Sequence, residues 1–176
     1  MRKVVYSVAM SLDGYVAGPN GEADWIVMDP ELDFTGMMAR FDTVLMGRRT
    51  FEAAQARGGG GAMPGVTSVV VSRTLRPADH PGVTVIADDV GAGVSRLRAR
   101  PGKDIWLFGG GSLFRGLLDL QLVDTVEVAV VPVLLGRGIP LLPSRSQRSS
   151  LRLVNSKAYK ATGTVSLEYA VEQKPA

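Results

Sequence analysis

Short apolar runs of strand length recur along the chain, separated by polar and glycine-rich turns. Five of these runs are predicted to be strands from their length and their apolar, β-branched or aromatic residues; they span residues 3–10, 43–46, 67–72, 83–87 and 105–108. Residues 124–131 alternate valines with Thr, Glu and Ala, which is the period-two pattern of a strand with two different faces. Two more extended runs, 151–159 and 164–171, are joined by a short turn and predict a hairpin.

Helices are predicted between the first strands. Asp29, Pro30 and Glu31 resemble a helix start, with an N-cap, a proline at the first position and an acid in the first turn. This helix is expected to run to about Arg40 and to bury Leu32, Met37, Met38 and Phe41. Further helices are predicted over residues 51–56, 90–100 and from Ser112 onward.

The order of these elements predicts the fold class. Strands alternate with helices up to residue 119, and from there strands follow strands. Alternation favours an α/β fold with a mainly parallel sheet and helices on both faces, and the last two strands add an antiparallel C-terminal edge. Because no linker separates two parts of the chain, we expect one domain over residues 1–176.

Composition narrows the functional classes. The chain has 176 residues, no cysteine and one histidine, His80, so disulfides, thiolate catalysis and His-cluster metal sites are excluded within it. No signal peptide is visible and no apolar stretch reaches the ~18 residues of a membrane span, so we expect a cytoplasmic protein. The net charge of +3 is scattered and aromatic residues make up only 6%, which does not favour nucleic-acid binding.

A glycine-rich corner dominates the second half of the sequence. The run Ile105–Phe108 leads into Gly109, Gly110 and Gly111, and leucines and a phenylalanine then recur at helical spacing. Three glycines between a strand and a helix indicate close approach or positive φ, and amides at a helix start attract anions. The corner is interpreted either as a phosphate-binding loop or as a tight turn without a ligand.

Three further features should lie at the carboxyl ends of strands, where open α/β sheets bind their ligands. They are the loop 11–24, the corner Gly47-Arg48-Arg49-Thr50, and Ser72-Arg73-Thr74. Together with the triple glycine they predict a dinucleotide site whose pyrophosphate lies between two helix starts. Because arginine pairs with phosphate bidentately, Arg73 beside Ser72 is suited to a 2′-phosphate, and this favours NADPH over NADH.

These motifs support a family resemblance. The segments 11–17, 45–50, 71–73, 108–112 and 132–138, in this order and spacing, resemble the reductase domain of riboflavin biosynthesis, the RibD C-terminal domain, in its stand-alone form without a deaminase half. The resemblance implies the dihydrofolate reductase fold, with about eight strands in the central sheet. It also implies NADPH as the hydride donor, a homodimer, and a loop after the first strand that covers the nicotinamide.

The resemblance further implies roles for individual residues. Gly47, Arg48, Arg49 and Thr50 would meet the pyrophosphate and the 2′-phosphate side, and Ser72 and Arg73 would meet the phosphate on the adenosine ribose. The pyrophosphate would be wrapped by Gly109, Gly110, Gly111, Ser112 and Leu113, and in dihydrofolate reductases the matching Gly-Gly bond is cis. Ala9 and Val16 would flank the nicotinamide, with Phe108 near it.

The substrate half leaves several alternatives open. Asp13 is a candidate proton donor, or only the aspartate of an Asp-Gly turn. Trp25 would stack on a planar heterocycle or belong to the core, and Asp33 would bind a pterin-like ring or serve the helix. The implied reaction is hydride transfer to a pyrimidine or pterin-like ring, most like that of 5-amino-6-(5-phosphoribosylamino)uracil reductase. The alternatives are dihydrofolate reductase activity, a non-catalytic NADPH-binding module and, on charge alone, a nucleic-acid-binding protein.

Overall fold

The computed structural model describes the chain over residues 1–58, 65–144 and 147–172. The glycine-rich stretch 58–65, which the sequence predicts as a loop, therefore lies mostly outside the described residues. The strands are β1 (Val4–Ser11), β2 (Tyr15–Ala17), β3 (Phe41–Gly47), β4 (Thr67–Val71), β5 (Val83–Ile86), β6 (Asp104–Gly109), β7 (Thr125–Val131), β8 (Ile139–Pro140), β9 (Leu151–Ala158) and β10 (Val165–Val171). The helices are α1 (Phe34–Met38), α2 (Arg48–Ala56), α3 (Val90–Ala99) and α4 (Gly111–Asp119).

Eight strands form one central sheet in the order β5-β4-β3-β6-β1-β7-β10-β9. The strands from β5 to β7 are parallel to their neighbours, whereas β10 runs antiparallel to β7, and β9 antiparallel to β10. This confirms the predicted α/β fold with a mainly parallel sheet and an antiparallel C-terminal hairpin. A separate two-stranded sheet, β2 with β8, ties the loop after β1 to the loop after β7.

The sheet carries a hydrophobic core on each face, as alternation along buried strands requires. On one face Tyr6 stacks on Phe114 of α4 with ring centroids 3.8 Å apart, and α3 packs beside it through Val94 and Leu97. On the other face Phe51 of α2 is fully buried against residues of β3, β4 and β6. Helices therefore cover both faces of the sheet, as predicted, and the starts of α2 and α4 lie at the same sheet edge.

The first helix is shorter than predicted. The expectation of a helix from Asp29 to about Arg40 is wrong, because α1 covers only Phe34–Met38. Its N-cap is Asp33, whose carboxylate accepts a hydrogen bond from the amide of Gly36 at 2.8 Å. None of the helical residues is fully buried, so the expected core contacts of this segment are partial.

The physical reason is the use of Asp29 elsewhere in the fold. Its side chain is buried and accepts hydrogen bonds from Thr162 in the turn of the C-terminal hairpin, at 3.1 Å from the amide and 2.8 Å from Oγ1. A third bond comes from the amide of Glu31 at 2.9 Å. A partner 133 positions away thus takes the carboxylate that local sequence assigns to a helix start.

None of the helices in the described ranges is both long and apolar enough to cross a membrane. The assignment of the whole chain to one domain stays a prediction.

The contact between Phe114 and Tyr6 anchors α4 to the sheet, so Phe114→Ala should strongly reduce stability. Truncating a buried aromatic side chain removes apolar burial and leaves a cavity, and we expect the free energy of unfolding to fall by about 3–5 kcal/mol. Leu120→Ala is the control, since Leu120 at the end of the same helix is 52% exposed and should change stability by less than about 0.5 kcal/mol. Equal effects of the two variants in urea unfolding would contradict this packing.

Candidate functional site

The two glycine corners meet at the carboxyl edge of the sheet. Because β3 and β6 are neighbours, Met46 lies opposite Gly109, and the chain turns into a helix directly after each of these positions. The corners also touch, since a Cβ added to Gly110 would lie 3.2 Å from Thr50 Oγ1. The starts of α2 and α4 are therefore adjacent and can face the same ligand.

Both corners line one large cavity of about 1610 Å³. This exceeds the roughly 300–1,000 Å³ of most small-molecule pockets, and leaves room for two ligands side by side. The cavity is lined by all the residues that the sequence assigns to the cofactor: Ala9, Val16, Gly47, Arg48, Arg49, Thr50, Ser72, Arg73, Phe108, Gly109, Gly110, Gly111, Ser112 and Leu113. The candidate residues Asp13, Trp25 and Asp33 do not line it.

The glycines of the second corner have reasons within the chain itself. Gly109 has a φ of +147°, which L side chains rarely adopt, and its peptide bond to Gly110 is cis. A Cβ on Gly111 would approach Pro143 Cδ to 2.8 Å, so this glycine is needed for packing. The triple glycine is therefore consistent with a ligand loop but does not require one.

Gly47 differs from these glycines. Its φ of −79° suits any residue, and a Cβ placed on it would meet no atom of the described chain within 4 Å. Neither backbone conformation nor packing accounts for a glycine here. The open space beside it belongs to the cavity, so close approach of a ligand is the remaining physical reason.

Positive charge concentrates at this end of the cavity. Arg48 pairs with Glu52 at 2.9 Å on the exposed side of α2, and Arg57 donates a hydrogen bond to the carbonyl oxygen of Gly21. Arg49 and Arg73 line the cavity and are exposed, with neither a hydrogen-bond nor an ion-pair partner among residues 1–58, 65–144 and 147–172. Two unpaired guanidinium groups beside two helix N-termini favour an anionic ligand.

The turn after β4 presents Arg73. The buried Ser72 accepts hydrogen bonds at its Oγ from the amides of Thr74 and Leu75, at 3.1 and 2.9 Å. These bonds fix the turn, so Ser72 acts on the cavity mainly by directing the neighbouring arginine. The sequence did not show that Ser72 holds the turn while Arg73 faces the cavity.

The start of the predicted helix at Val90 also lies on the cavity wall, which sequence reasoning did not anticipate. Asp88, Asp89 and Val90 line the cavity where β5 leads into α3, beside the end of β4. The carboxylate of Asp89 caps α3 by accepting a hydrogen bond from the amide of Ala92 at 2.9 Å. An aspartate pair directly before a helical segment was the available signal, since aspartate is a favoured N-cap.

The opposite end of the cavity is largely apolar, and we call it the ring half. Its floor includes Ala9 and Phe108, and Phe108 lies edge-on to Trp106 with centroids 4.8 Å apart. The side walls are the α1 segment and the loop before it, where the larger apolar lining residues, none of which the sequence assigned to a site, are Ile26, Met28, Leu32, Phe34 and Met37. An apolar slot of this kind suits a planar ring.

Asp13 serves as a clamp between two loops. Its carboxylate accepts hydrogen bonds from Ser11 Oγ at 2.7 Å and from the amides of Leu135 and Gly136 at 3.1 and 2.7 Å. The bond from Ser11, followed by those from the amides, holds the pKa of Asp13 below its ordinary value. A carboxylate that stays ionised near neutral pH is a poor proton donor, so this geometry favours the turn interpretation.

The other two candidate substrate-binding residues, Trp25 and Asp33, also lie outside the cavity. Trp25 is half-buried in the loop before α1, and its Nε1 donates a hydrogen bond to the carbonyl oxygen of Glu22 at 3.2 Å. Asp33 is exposed at the N-cap of α1. The position of Asp33 favours the helix-serving alternative, whereas Trp25 lies outside both hydrophobic cores, and the substrate roles of the two residues stay predictions.

Comparison with known proteins places the chain in a family. The RibD C-terminal domain family matches residues 2–165. The chain belongs to this family. The protein YyaP of Bacillus subtilis, which is uncharacterised, is 35% identical over 179 aligned residues, covering 96% of this chain and 94% of the relative. The predicted family resemblance is confirmed.

Solved structures of other proteins share the architecture. A protein from Shewanella sp. PV-4, provisionally assigned to riboflavin biosynthesis, is 25% identical with a TM-score of 0.82, and the match covers 98% of this chain and all of that one. The bifunctional diaminohydroxyphosphoribosylaminopyrimidine deaminase and 5-amino-6-(5-phosphoribosylamino)uracil reductase of Thermotoga maritima matches with a TM-score of 0.70 at 18% identity. The match covers 97% of this chain and 56% of that enzyme, and at this identity it shows a common fold.

The clamp predicts that Asp13→Asn loosens the loop after β1 without abolishing the activity proposed below. A neutral amide oxygen accepts weaker hydrogen bonds than a carboxylate, so the amides of Leu135 and Gly136 should exchange faster in hydrogen-exchange measurements. Asp24→Asn, at an exposed position of the following loop, should leave both rates unchanged. Unchanged exchange in Asp13→Asn would contradict the clamp.

The same contacts predict a dependence of stability on pH. Because the pKa of Asp13 is lowered by folding, its contribution is complete above the unfolded value near pH 4 and is lost as the pH falls through the lower folded value. Acid unfolding of the wild type should therefore show a loss of stability in this window that is smaller in Asp13→Asn. If the free energy of unfolding fell equally with pH in the two proteins over this acid range, the assignment would be contradicted.

Proposed function

We propose that the chain is an NADPH-dependent reductase that transfers a hydride to a pyrimidine or pterin-like heterocycle. The observation that carries the proposal is the joining of two regions in one cavity. One region has two adjacent helix starts and two arginines, Arg49 and Arg73, that have no partner among the described residues, and the other is an apolar slot. The first suits the phosphates of a dinucleotide, and the second suits two stacked rings.

Family membership supports a reductase-like role for the chain. Among solved relatives, the Thermotoga maritima protein includes a 5-amino-6-(5-phosphoribosylamino)uracil reductase. We propose a reaction most like that one, on a substrate of the same ring class. Dihydrofolate reductase activity is the nearest alternative, because the enzymes that catalyse the two reactions share a fold and a hydride donor.

Each part of the cavity then has a defined task. NADPH supplies the hydride, and the protein contributes binding and orientation. The amides at the starts of α2 and α4 would bind the diphosphate, and the open space at Gly47 would let it approach. Arg73 would bind the 2′-phosphate, directed by the turn that Ser72 holds.

The ring half would align donor and acceptor. Ala9 and Val16 would flank the nicotinamide, with Phe108 on the floor beside it. Small and apolar side chains at these points exclude water from the space between the two rings, and hold them close enough for transfer. Since Asp13 lies outside the cavity, we propose that water supplies the proton that completes the reduction.

A consumption assay separates the reductase from a non-catalytic NADPH-binding module. The reductase must oxidise NADPH when a heterocycle is added, whereas the module only binds the nucleotide. We would follow nicotinamide absorbance with ribosylaminopyrimidines and dihydropterins as candidate substrates. Binding of NADPH without oxidation by any member of these two classes would favour the module. The homodimer and the cytoplasmic location stay predictions.

The 2′-phosphate role predicts that Arg73→Ala weakens NADPH far more than NADH. Hydrogen bonds to a charged group contribute about 1.5–3 kcal/mol, so the dissociation constant of NADPH should rise roughly 10- to 100-fold in calorimetric titration. Asp88→Ala is the opposite-charge control on the same wall and should leave NADPH binding unchanged or improved. An equal loss of both nucleotides in Arg73→Ala would remove the 2′-phosphate assignment.

The open space at Gly47 predicts that Gly47→Val blocks the nucleotide while the fold survives. The added Cβ meets no neighbour, so thermal stability should stay close to that of the wild type. NADPH affinity should fall roughly 100-fold or more, as expected if at least two hydrogen bonds to phosphate are lost. Gly116→Ala is the control, because Gly116 is equally open but lies on α4 away from the cavity. Unchanged NADPH affinity in Gly47→Val would contradict the placement.

A further inference from the structure

One acidic side chain stands on the floor of the ring half. Three acidic residues line the cavity, and two of them, Asp88 and Asp89, lie at the opposite end, beside α3. The third, Glu127, lies on β7 two strand positions before Ala129, which pairs with Ala9. Because alternate residues of a strand share a face, Glu127 and Ala129 both face the floor where the rings would lie.

Glu127 is held in place by an arginine from outside the cavity. Its Oε2 accepts a hydrogen bond from Nη2 of Arg40 at 2.6 Å, and its side chain is only 14% exposed, against 42% for the arginine. Arg40 is itself fixed, since its guanidinium lies 5.0 Å from the ring centroid of Phe41 and its Nε donates to the carbonyl oxygen of Met37. The carboxylate is therefore oriented before any ligand arrives.

Acceptor and donor atoms around this carboxylate have no partner within the described part of the chain. Glu127 Oε1 accepts no hydrogen bond there, and the hydroxyl groups of Ser7 and Ser166 make none. Ser7 is the register partner of Glu127 on β1, and Ser166 is the register partner of Ala129 on β10. All three side chains line the cavity, so they form one polar patch in an otherwise apolar slot.

We propose that Glu127, positioned by Arg40, is the specificity-determining acceptor of the ring half, and that the substrate presents an edge of N–H donors to it. An amino group beside a ring N–H, as in an aminopyrimidinone, matches a carboxylate with one free oxygen and two flanking hydroxyls. An acceptor that the bound ligand shields from water discriminates strongly, because an analogue without the donors leaves it desolvated and unpaired. The inference rests on the proposed function, since it assigns the substrate side of the same cavity.

Two probes test directly whether the site recognises an edge of N–H donors. They are 2-aminopyrimidin-4-one and its 2-dimethylamino counterpart, which lacks the exocyclic N–H donors. We would titrate each into the protein with and without saturating NADP⁺, following tryptophan fluorescence, because Trp106 lines the ring half. The wild type should prefer the amino probe by at least about tenfold. Equal affinities, or no measurable binding of the amino probe, would overturn the proposal.

Variants then assign the preference to one residue. Glu127→Gln should reduce the preference to within about twofold, because the amide is neutral and turns a donor toward the probe. Glu168→Gln is the matched control, since Glu168 pairs with Glu127 in the sheet register but does not line the cavity, and it should keep the wild-type preference. Equal effects of the two variants would overturn the role of Glu127.

The role of Arg40 has its own readout. Arg40→Gln should lower the preference for the amino probe and Arg40→Lys should restore part of it, while a purely structural arginine would change thermal stability and leave the preference as it is. Nucleotide binding is measured separately in every variant. Loss of NADP⁺ binding with the preference intact would contradict the proposed function alone, and loss of the preference with NADP⁺ binding intact would contradict this inference alone.

Discussion

The pairing of β3 with β6 is the constraint on which the candidate site depends. These strands are separated by more than fifty residues in the chain, yet their register sets Met46 opposite Gly109. Each strand ends in a glycine and continues at once into a helix, so the pairing brings two helix starts into contact through Thr50 and Gly110. A single helix start is a weak anion site, and two adjacent ones with unpaired arginines are a much stronger one.

The rest of the fold fixes the walls of this cavity. The loop after β1 lines the cavity through Val16 and Ala17, and it is tied to the loop after β7 by the β2–β8 pairing and by the carboxylate of Asp13. The segment before α1 forms another wall and is tied through Asp29 to the turn of the C-terminal hairpin. Both walls are thus fixed by carboxylates that accept hydrogen bonds from distant parts of the chain, which explains why irregular segments can line a defined cavity.

Sequence reasoning succeeded where the signal is local. Glycine corners, the arginines beside them and the alternation of strands and helices lie within short windows, so the fold class and the cavity-lining residues of both corners could be predicted. The role of Asp29 was predicted wrongly and the role of Asp13 was left open, because the partners of both carboxylates are more than a hundred residues away. Glu127 was missed for another reason, since in an alternating strand a glutamate looks like an ordinary solvent-facing residue, and only the sheet order places it inside the cavity.

The most direct test of the central claim is a crystal structure of the protein grown with NADPH. We expect one nucleotide, with its diphosphate within hydrogen-bond distance of backbone amides at the starts of both α2 and α4, and with its nicotinamide above Ala9. A nucleotide that contacts only one of the two helix starts, or that binds at another surface while the cavity stays empty, would contradict the account.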